Sequence, residues 1–411
     1  MGSSRSGWHG TDRHDTDVHG TELIGTGLIG TEFLGTELLG RIHSRAAGYD
    51  RDNAFFAEDL EELAAAGYLR ALVPRELGGL GLSLREVAHE QVRLAAAAPA
   101  TALAVNMHLV WTGVAKALRD RGDDSLEFVL RDAAAGELFA FAISEAGNDL
   151  MLFGSTTEAK PLPGGGYAFT GTKIFTSLSP AWTRLALFGL DTESADAPKL
   201  VHAVVSRDEP GIRTLDDWDT IGMRASQSNS TRLDRAVAAP DRVYRRLDPG
   251  PSSDPLIFAI FANFEILLSA VYIGLGQRAI ELAVESATGR VSARTGQTKA
   301  ADPITRWKVA DAAIAHDALL PQLDAIAADV DDRVDRGERW FRDLVGIKSR
   351  STRTAKFVVD QAIAVAGGAA FSSSSELGRL YRDVLAGGFH PSNEDSAHAT
   401  VATTLLGPAP D

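Results

Sequence analysis

A mainly α fold with a β domain set in its middle is what the sequence predicts, and three observations carry that reading. From residue 42 to residue 136 apolar side chains recur at helical spacing. Around 139–177 the period changes to two, with Phe139, Phe141 and Ile143 alternating with small residues, and a triple-glycine turn precedes a second such run through Thr170, Lys173 and Phe175. From Leu256 onward, long helical stretches are joined by short polar connections, which favours an antiparallel bundle. The predicted order is a flexible arm over 1–40, a helical N-terminal domain over 41–138, a small β-barrel or sandwich over 139–248, and a C-terminal bundle of the four-helix type over 255–411.

The arm repeats a five-residue unit, with Gly20, Gly25, Gly30, Gly35 and Gly40 evenly spaced, a period matching neither helix nor strand. So much glycine makes ordering costly for little buried area. His9, His14 and His19 read as solvated tail residues rather than metal ligands. Helical spacing from Ile42 to Tyr68 stops at Gly67, and Leu72–Ser83, with Gly78, Gly79 and Gly81, reads as a turn: no strand precedes it and no G-K-[ST] follows. Helix resumes from Leu84. His89 and Glu90 lack the second histidine that a zinc site needs.

Strands are expected at Leu185–Leu190 and Val201–Val205, then a basic cluster of Arg242, Arg245 and Arg246 that reads as a solvated face. The bundle helices are expected at Phe258–Thr288, Ile304–Val334, Asp343–Ala366, Leu377–Ala386 and a last segment to Leu406. Asp329, Asp331, Asp332 and Asp335 are interleaved with Arg333 and Arg336, so they also read as a solvated face, and no metal site is expected.

Composition narrows the function. The 411 residues are 45% apolar, enough for two or three domains with a real core. A net charge of −14 opposes binding to nucleic acid, whose recognition depends on neutralising phosphates. No cysteine is present, which removes disulfides, thiolate zinc sites and thiol nucleophiles and fits a reducing compartment. Cytoplasm is the expected location: no apolar run reaches the ~20 residues that span a bilayer, and the N-terminus lacks a basic region followed by an apolar one.

Six stretches in order make the chain resemble the acyl-CoA dehydrogenase superfamily. L-V-P-R-E-L-G-G-L-G-L-S resembles the early helix-helix turn of that family, and I-S-E-A-G-N-D resembles its T-E-P-G-x-G-S-D stretch, shortened by two residues. G-T-K-I-F-T-S at 171–177 is similar to G-x-K-x-W-I-[TS], I-G-M-R-A-S at 221–226 to a G-x-R-x-S strand, and I-G-L-G-Q-R-A at 273–279 to the first bundle helix. A-G-G at 366–368 followed by Y-R-D at 381–383 completes the set.

The resemblance implies FAD between the β domain and the bundle. Ile143 and Ser144 fall where backbone and hydroxyl meet the flavin ring, Ser177 where a hydroxyl bonds flavin N5, and Phe175 replaces a tryptophan that covers the ring. Arg290, sixteen residues after Gly274, and the pair Gly367–Gly368 fall where the family contacts the FAD pyrophosphate of a neighbouring subunit, implying a homodimer or homotetramer. Ala364 stands where a glutamine often contacts the adenine side, so FAD affinity is expected to be lower, or reduced flavin to be supplied by a partner reductase.

The resemblance further implies α,β-dehydrogenation of an acyl thioester, carried by coenzyme A or an acyl carrier protein, with electrons passing to an acceptor flavoprotein. Yet the usual catalytic glutamate position holds Pro391, and the alternative one falls on Phe264. Glu265, one residue on, lies among apolar neighbours that would raise its pKa, and it is the candidate base. His390, in G-F-H-P, resembles the flavin monooxygenase branch, which uses reduced flavin and oxygen on a small-molecule substrate. His108 comes from a helix that lines the same pocket in the family, so His108 and His390 form a candidate pair; taken alone, His108 reads better as a hydrogen-bonded packing residue. A third reading is a non-catalytic carrier-protein binder.

Overall fold

The computed structural model describes residues 33–148, 150–195 and 197–408. Five helices come first: α1 (Thr36–Asp52), α2 (Ala57–Ala65), α3 (Leu84–Ala97), α4 (Pro99–Arg119) and α5 (Glu127–Ala134). Eight strands follow: β1 (Phe139–Ala142), β2 (Glu158–Pro161), β3 (Tyr167–Lys173), β4 (Arg184–Asp191), β5 (Lys199–Ser206), β6 (Ile212–Thr214), β7 (Thr231–Ala238) and β8 (Val243–Leu247). Six helices close the chain: α6 (Pro255–Gly289), α7 (Pro303–Asp317), α8 (Leu319–Asp331), α9 (Arg339–Ala366), α10 (Glu376–Val384) and α11 (Glu394–Leu406).

Local chemistry accounts for several boundaries. Ser83 and Glu86 form a reciprocal capping box at the start of α3, and α4 and α6 each begin with proline, whose missing N–H is harmless in a first turn. The last unit of the glycine repeat is helical, against the expectation of an arm reaching residue 40: α1 starts at Thr36. Leu38 and Ile42 are four apart on α1 and so share a face, while Leu34, just before the helix, is buried and the Glu90 carboxylate accepts from the Phe33 and Leu34 N–H groups at 2.9 and 3.0 Å. The repeat as far as residue 32, and the three tail histidines, lie outside the described residues.

The strands form one mixed sheet, ordered β6-β7-β3-β2-β4-β5-β8, with β1 added in parallel to β4. I-G-M-R-A-S is not a strand as its family match implied but a bend and a short 3₁₀ turn, because Met223 and Gln227 both sit at positive φ. The expected strand through Phe175 likewise ends at Lys173. The basic cluster is paired rather than merely solvated: Arg242 meets Asp132 at 2.6 Å, and Arg245 meets Asp123. Asp331 accepts from the Leu84 and Arg85 N–H groups at 2.9 Å each and so caps α3.

Helix α6 is the axis of the molecule, packed by α3, α4 and α9. Close approach needs glycine at two crossings. A Cβ at Gly274 would lie 2.1 Å from the Val92 carbonyl oxygen, and one at Gly113 would lie 2.1 Å from Asn263 Oδ1. By length and composition alone α6 is long and apolar enough to cross a membrane, although no run of that length was expected, but 89% of its most apolar window is buried inside the protein, as in a core helix.

Candidate active site

Two cavities of about 360 Å³ each lie between the β domain and the bundle. They share a wall of Phe141 and Ser144 from the end of β1, Phe264 from α6, and the segment Phe389–Pro391 that joins α10 to α11. Phe175 borders both. The first cavity also takes in Ile143, Glu145, Phe261, Glu265 and Ser392, and the second takes in Met107, Ser177, Trp218, Ser228 and the turn at Gly222–Met223.

The β-domain wall is built on one carboxylate. Glu145 accepts from Lys173 Nζ at 2.5 Å, Thr157 Oγ1 at 2.6 Å, Ser155 Oγ at 2.6 Å, Thr156 N at 2.7 Å and Asn148 Nδ2 at 2.9 Å. Burial alone would raise its pKa, but the Lys173 charge and the hydroxyl donors bring it down to about 2. Lys173 is fully buried, with its ammonium over the Phe188 ring. The sequence reading quoted both residues but assigned neither a role. The available signal was a lysine within a period-two strand pattern, since a charge buried in a strand demands a partner.

Just past Lys173 the chain turns sharply. Phe175 adopts φ +56°, unusual for a bulky residue and costing roughly 1–3 kcal/mol, which places its ring edge-on to Trp218 at 6.2 Å. Ser177 Oγ, Ser228 Oγ and Ser226 Oγ form a chain with 2.8 Å links, whose first two members line the second cavity. The opposite turn is pinned because Met223 N donates to Asp383 Oδ1 at 2.6 Å. An apolar slot with a hydroxyl edge fits a planar flavin ring, which needs flat contacts on its faces and hydrogen bonds at its rim.

Glu265 lines only the first cavity. It is 1% exposed, and its Oε2 atom is buried with no hydrogen-bond partner among the described residues. Burial pushes its pKa well above the usual carboxylate range, against the pull of the Ser392 hydroxyl and the Lys348 charge. His390 lines both cavities and shares a 2.9 Å hydrogen bond through Nε2 with the Tyr272 hydroxyl. Burial, aided by the Lys348 charge, lowers its pKa to about 3, so the imidazole is neutral.

His108 is not part of this arrangement, so the expected pair with His390 does not form. It lines neither cavity; Nε2 bonds the Leu69 carbonyl at 2.7 Å and Nδ1 accepts from Phe139 N at 3.0 Å. Its place is to tie α4 to the start of β1. Arg290 reaches the end of α9, next in sequence to Gly367 and Gly368, where it donates to the Ala366 carbonyl and Lys299 donates to that of Val365. Gly367 has φ +66°, a conformation that glycine alone adopts without strain. This cluster lines neither cavity.

Comparison with known proteins places this geometry in a family. Residues 38–127 match the acyl-CoA dehydrogenase N-terminal domain, and 266–394 match the C-terminal domain. An L-evernosamine nitrososynthase from Micromonospora sp. is 32% identical over 85% of this chain and 83% of its own. A dibenzothiophene monooxygenase from Mycolicibacterium goodii is 26% identical, covering 82% and 84%. Among solved structures, KijD3 in complex with FMN and dTDP-3-amino-2,3,6-trideoxy-4-keto-3-methyl-D-glucose superposes with a TM-score of 0.78 at 29% identity, covering 91% of this chain and 92% of its own. Butyryl-CoA dehydrogenase from Megasphaera elsdenii shares the fold, with a TM-score of 0.80 at 18% identity over 92% and 99%. The chain is therefore a member of the acyl-CoA dehydrogenase superfamily, a flavoprotein oxidoreductase by descent.

Proposed function

We propose that the protein is a flavin-dependent monooxygenase that oxygenates the amine nitrogen of a small molecule. In this reading the second cavity takes the flavin ring, with Ser144 and Ser177 at its rim and Phe175 and Trp218 along its edge. The first cavity takes the substrate, and His390 and Phe264 stand between the two. Reduced flavin, once bound, supplies the electrons that activate oxygen. A partner reductase would deliver it, as FMN or FAD.

The observation that carries the amine assignment is the buried Oε2 atom of Glu265, which lines the first cavity and has no hydrogen-bond partner among the described residues. A buried carboxylate oxygen with no partner is costly unless a ligand completes it. An amine does so by donating, and the same carboxylate can hold the proton that the nitrogen must lose before it becomes a nucleophile. An apolar sulfide offers nothing to this oxygen. Similarity to the nitrososynthase and to the complex with an amino-sugar nucleotide points the same way.

Neutral His390, held by Tyr272, is placed to donate or accept a hydrogen bond at the junction of the cavities. The Arg290 and Gly367–Gly368 cluster, remote from both cavities, suits the phosphates of a cofactor in a neighbouring subunit and so a dimer or tetramer.

Acyl-thioester dehydrogenation has less support, since Glu265 faces only the first cavity and Pro391 occupies the usual base position. The test supplies reduced flavin and air with a panel of primary amines, amino sugars, sulfides and acyl thioesters. Amine-dependent oxygen uptake with a product one oxygen heavier is expected. Anaerobic bleaching of the flavin by a thioester, with no amine oxidised, would overturn the proposal.

A further inference from the structure

We infer that Lys348 is the positioning residue for the wall between the two cavities. Its side chain rises from α9, is 1% exposed, and donates from Nζ to three backbone carbonyls, those of Gly387 at 3.1 Å, His390 at 3.2 Å and Ser392 at 2.9 Å. An ammonium has three N–H donors and a neutral amine only two, so three acceptors on one nitrogen select the charged form. Burial pulls against that form, and Glu265 on the facing helix α6 supports it when ionised.

Besides Lys348, the segment is held by the His390–Tyr272 hydrogen bond and by the Ser392 hydroxyl beside Glu265. Only a 3₁₀ turn interrupts it, Ser392 adopts φ +51°, and Phe389 at its crest is 79% exposed. It nonetheless supplies Phe389, His390 and Pro391 to both cavities. On its inner side Gly387 lies so close to Thr352 and Tyr272 that a Cβ would sit 2.9 Å from each. Removing the ammonium leaves three inward-facing carbonyls without a donor, and the cheapest relief is for the segment to swing outward into water. His390 would leave its place between the cavities, and water would enter from both sides.

The consequence for turnover rests on the proposed oxygenase reading; the mechanical consequence does not. The comparison uses the full-length protein with Lys348→Met, which keeps length and apolar bulk but loses charge and donors, and with Lys348→Arg, which keeps both. Hydrogen–deuterium exchange of residues 388–393, read without flavin or substrate, is expected to quicken at least tenfold in Lys348→Met and to recover toward wild type in Lys348→Arg, with the amides of α6 unchanged. With reduced flavin, air and an amine, the Met variant should release several-fold more hydrogen peroxide per product formed, and FMN binding, followed by fluorescence quenching, should weaken.

Should Lys348→Met fail to fold, Gly387→Ala displaces the same segment from beneath with the lysine intact and should give the same exchange and peroxide pattern. Unchanged exchange at 388–393 in the Met variant overturns the inference, as does quickened exchange with undisturbed FMN binding and peroxide yield. Faster exchange and weaker FMN binding in a protein that oxidises no amine would instead overturn the proposed function and leave the positioning role standing.

Discussion

Glu265→Gln separates a group that recognises substrate from one that merely packs. Glutamine has nearly the same shape, so the cavity keeps its volume while the charge is lost. Oε2 has no hydrogen-bond partner among the described residues, so the change removes no protein hydrogen bond at that atom. A hydrogen bond to a charged group contributes about 1.5–3 kcal/mol, so an amine substrate that lost it should bind roughly ten- to a hundredfold more weakly. Stability should move the other way. Because burial raises the folded pKa of Glu265, the native state binds its proton more tightly than the unfolded chain. Wild-type stability therefore falls as pH rises from the unfolded carboxylate value of ~4.3 up through the folded pKa, and glutamine abolishes that slope. Steady-state kinetics with a primary amine and with an apolar sulfide, beside urea melts between pH 5 and 9, provide the assay. Equal losses for both substrates, or a variant less stable than wild type at pH 8, would refute the reasoning.

Three further outcomes follow from the geometry. Lys173→Met strands the Glu145 carboxylate in a buried site and should cost about 3–5 kcal/mol in a denaturant titration at pH 7; because the folded pKa of Glu145 is depressed to about 2, the stability it contributes is full above ~4.3 and is lost as pH falls through about 2, a loss absent from the variant. His108→Leu leaves Phe139 N and the Leu69 carbonyl buried without partners, at about 1–3 kcal/mol each, so unfolding should shift while turnover per folded molecule and its pH profile stay at wild-type values. Arg290→Ala should weaken FAD binding about tenfold and leave FMN binding unchanged in a paired titration, since only the dinucleotide has a second phosphate for a neighbouring subunit's arginine to hold.

Much of this architecture could be read from residue patterns because period and punctuation are local properties. The change of period at Phe139 marks the start of β1, and α6, α7, α9 and α10 start close to the expected positions, whereas the single helix expected over 304–334 is two, α7 and α8, broken at Ala318. Glu265 was legible as a buried carboxylate because its sequence neighbours Phe264 and Ile266 are apolar, as are Phe261, Ala262 and Leu268 a turn away. For His108 the favoured reading, a hydrogen-bonded packing residue, matches the structure, but its partners, Leu69 and Phe139, were not legible because they come from distant parts of the chain and only the rotation of α4 decides which way the imidazole faces. Phe175 escaped for a different reason: alternation continues through it, while a positive φ ends the strand two residues earlier. Lys348 is amphipathic in sequence terms, on a helix with exposed lysines and arginines, and nothing local distinguishes it from them.

Helix α6 has a consequence for how the chain is made. Its most apolar window has a mean hydropathy of 2.1, and the surfaces that cover it come from both directions along the chain: α3 and α4 are already synthesised when it emerges, whereas α9 begins only at Arg339. At 5–20 residues per second, one flank of a sticky rod about 50 Å long stays uncovered for on the order of ten seconds. Nascent chains halted before Arg339 should therefore be captured by chaperones or aggregate, and those halted after Ala366 should not; the vulnerable stage in the life of this protein is its synthesis.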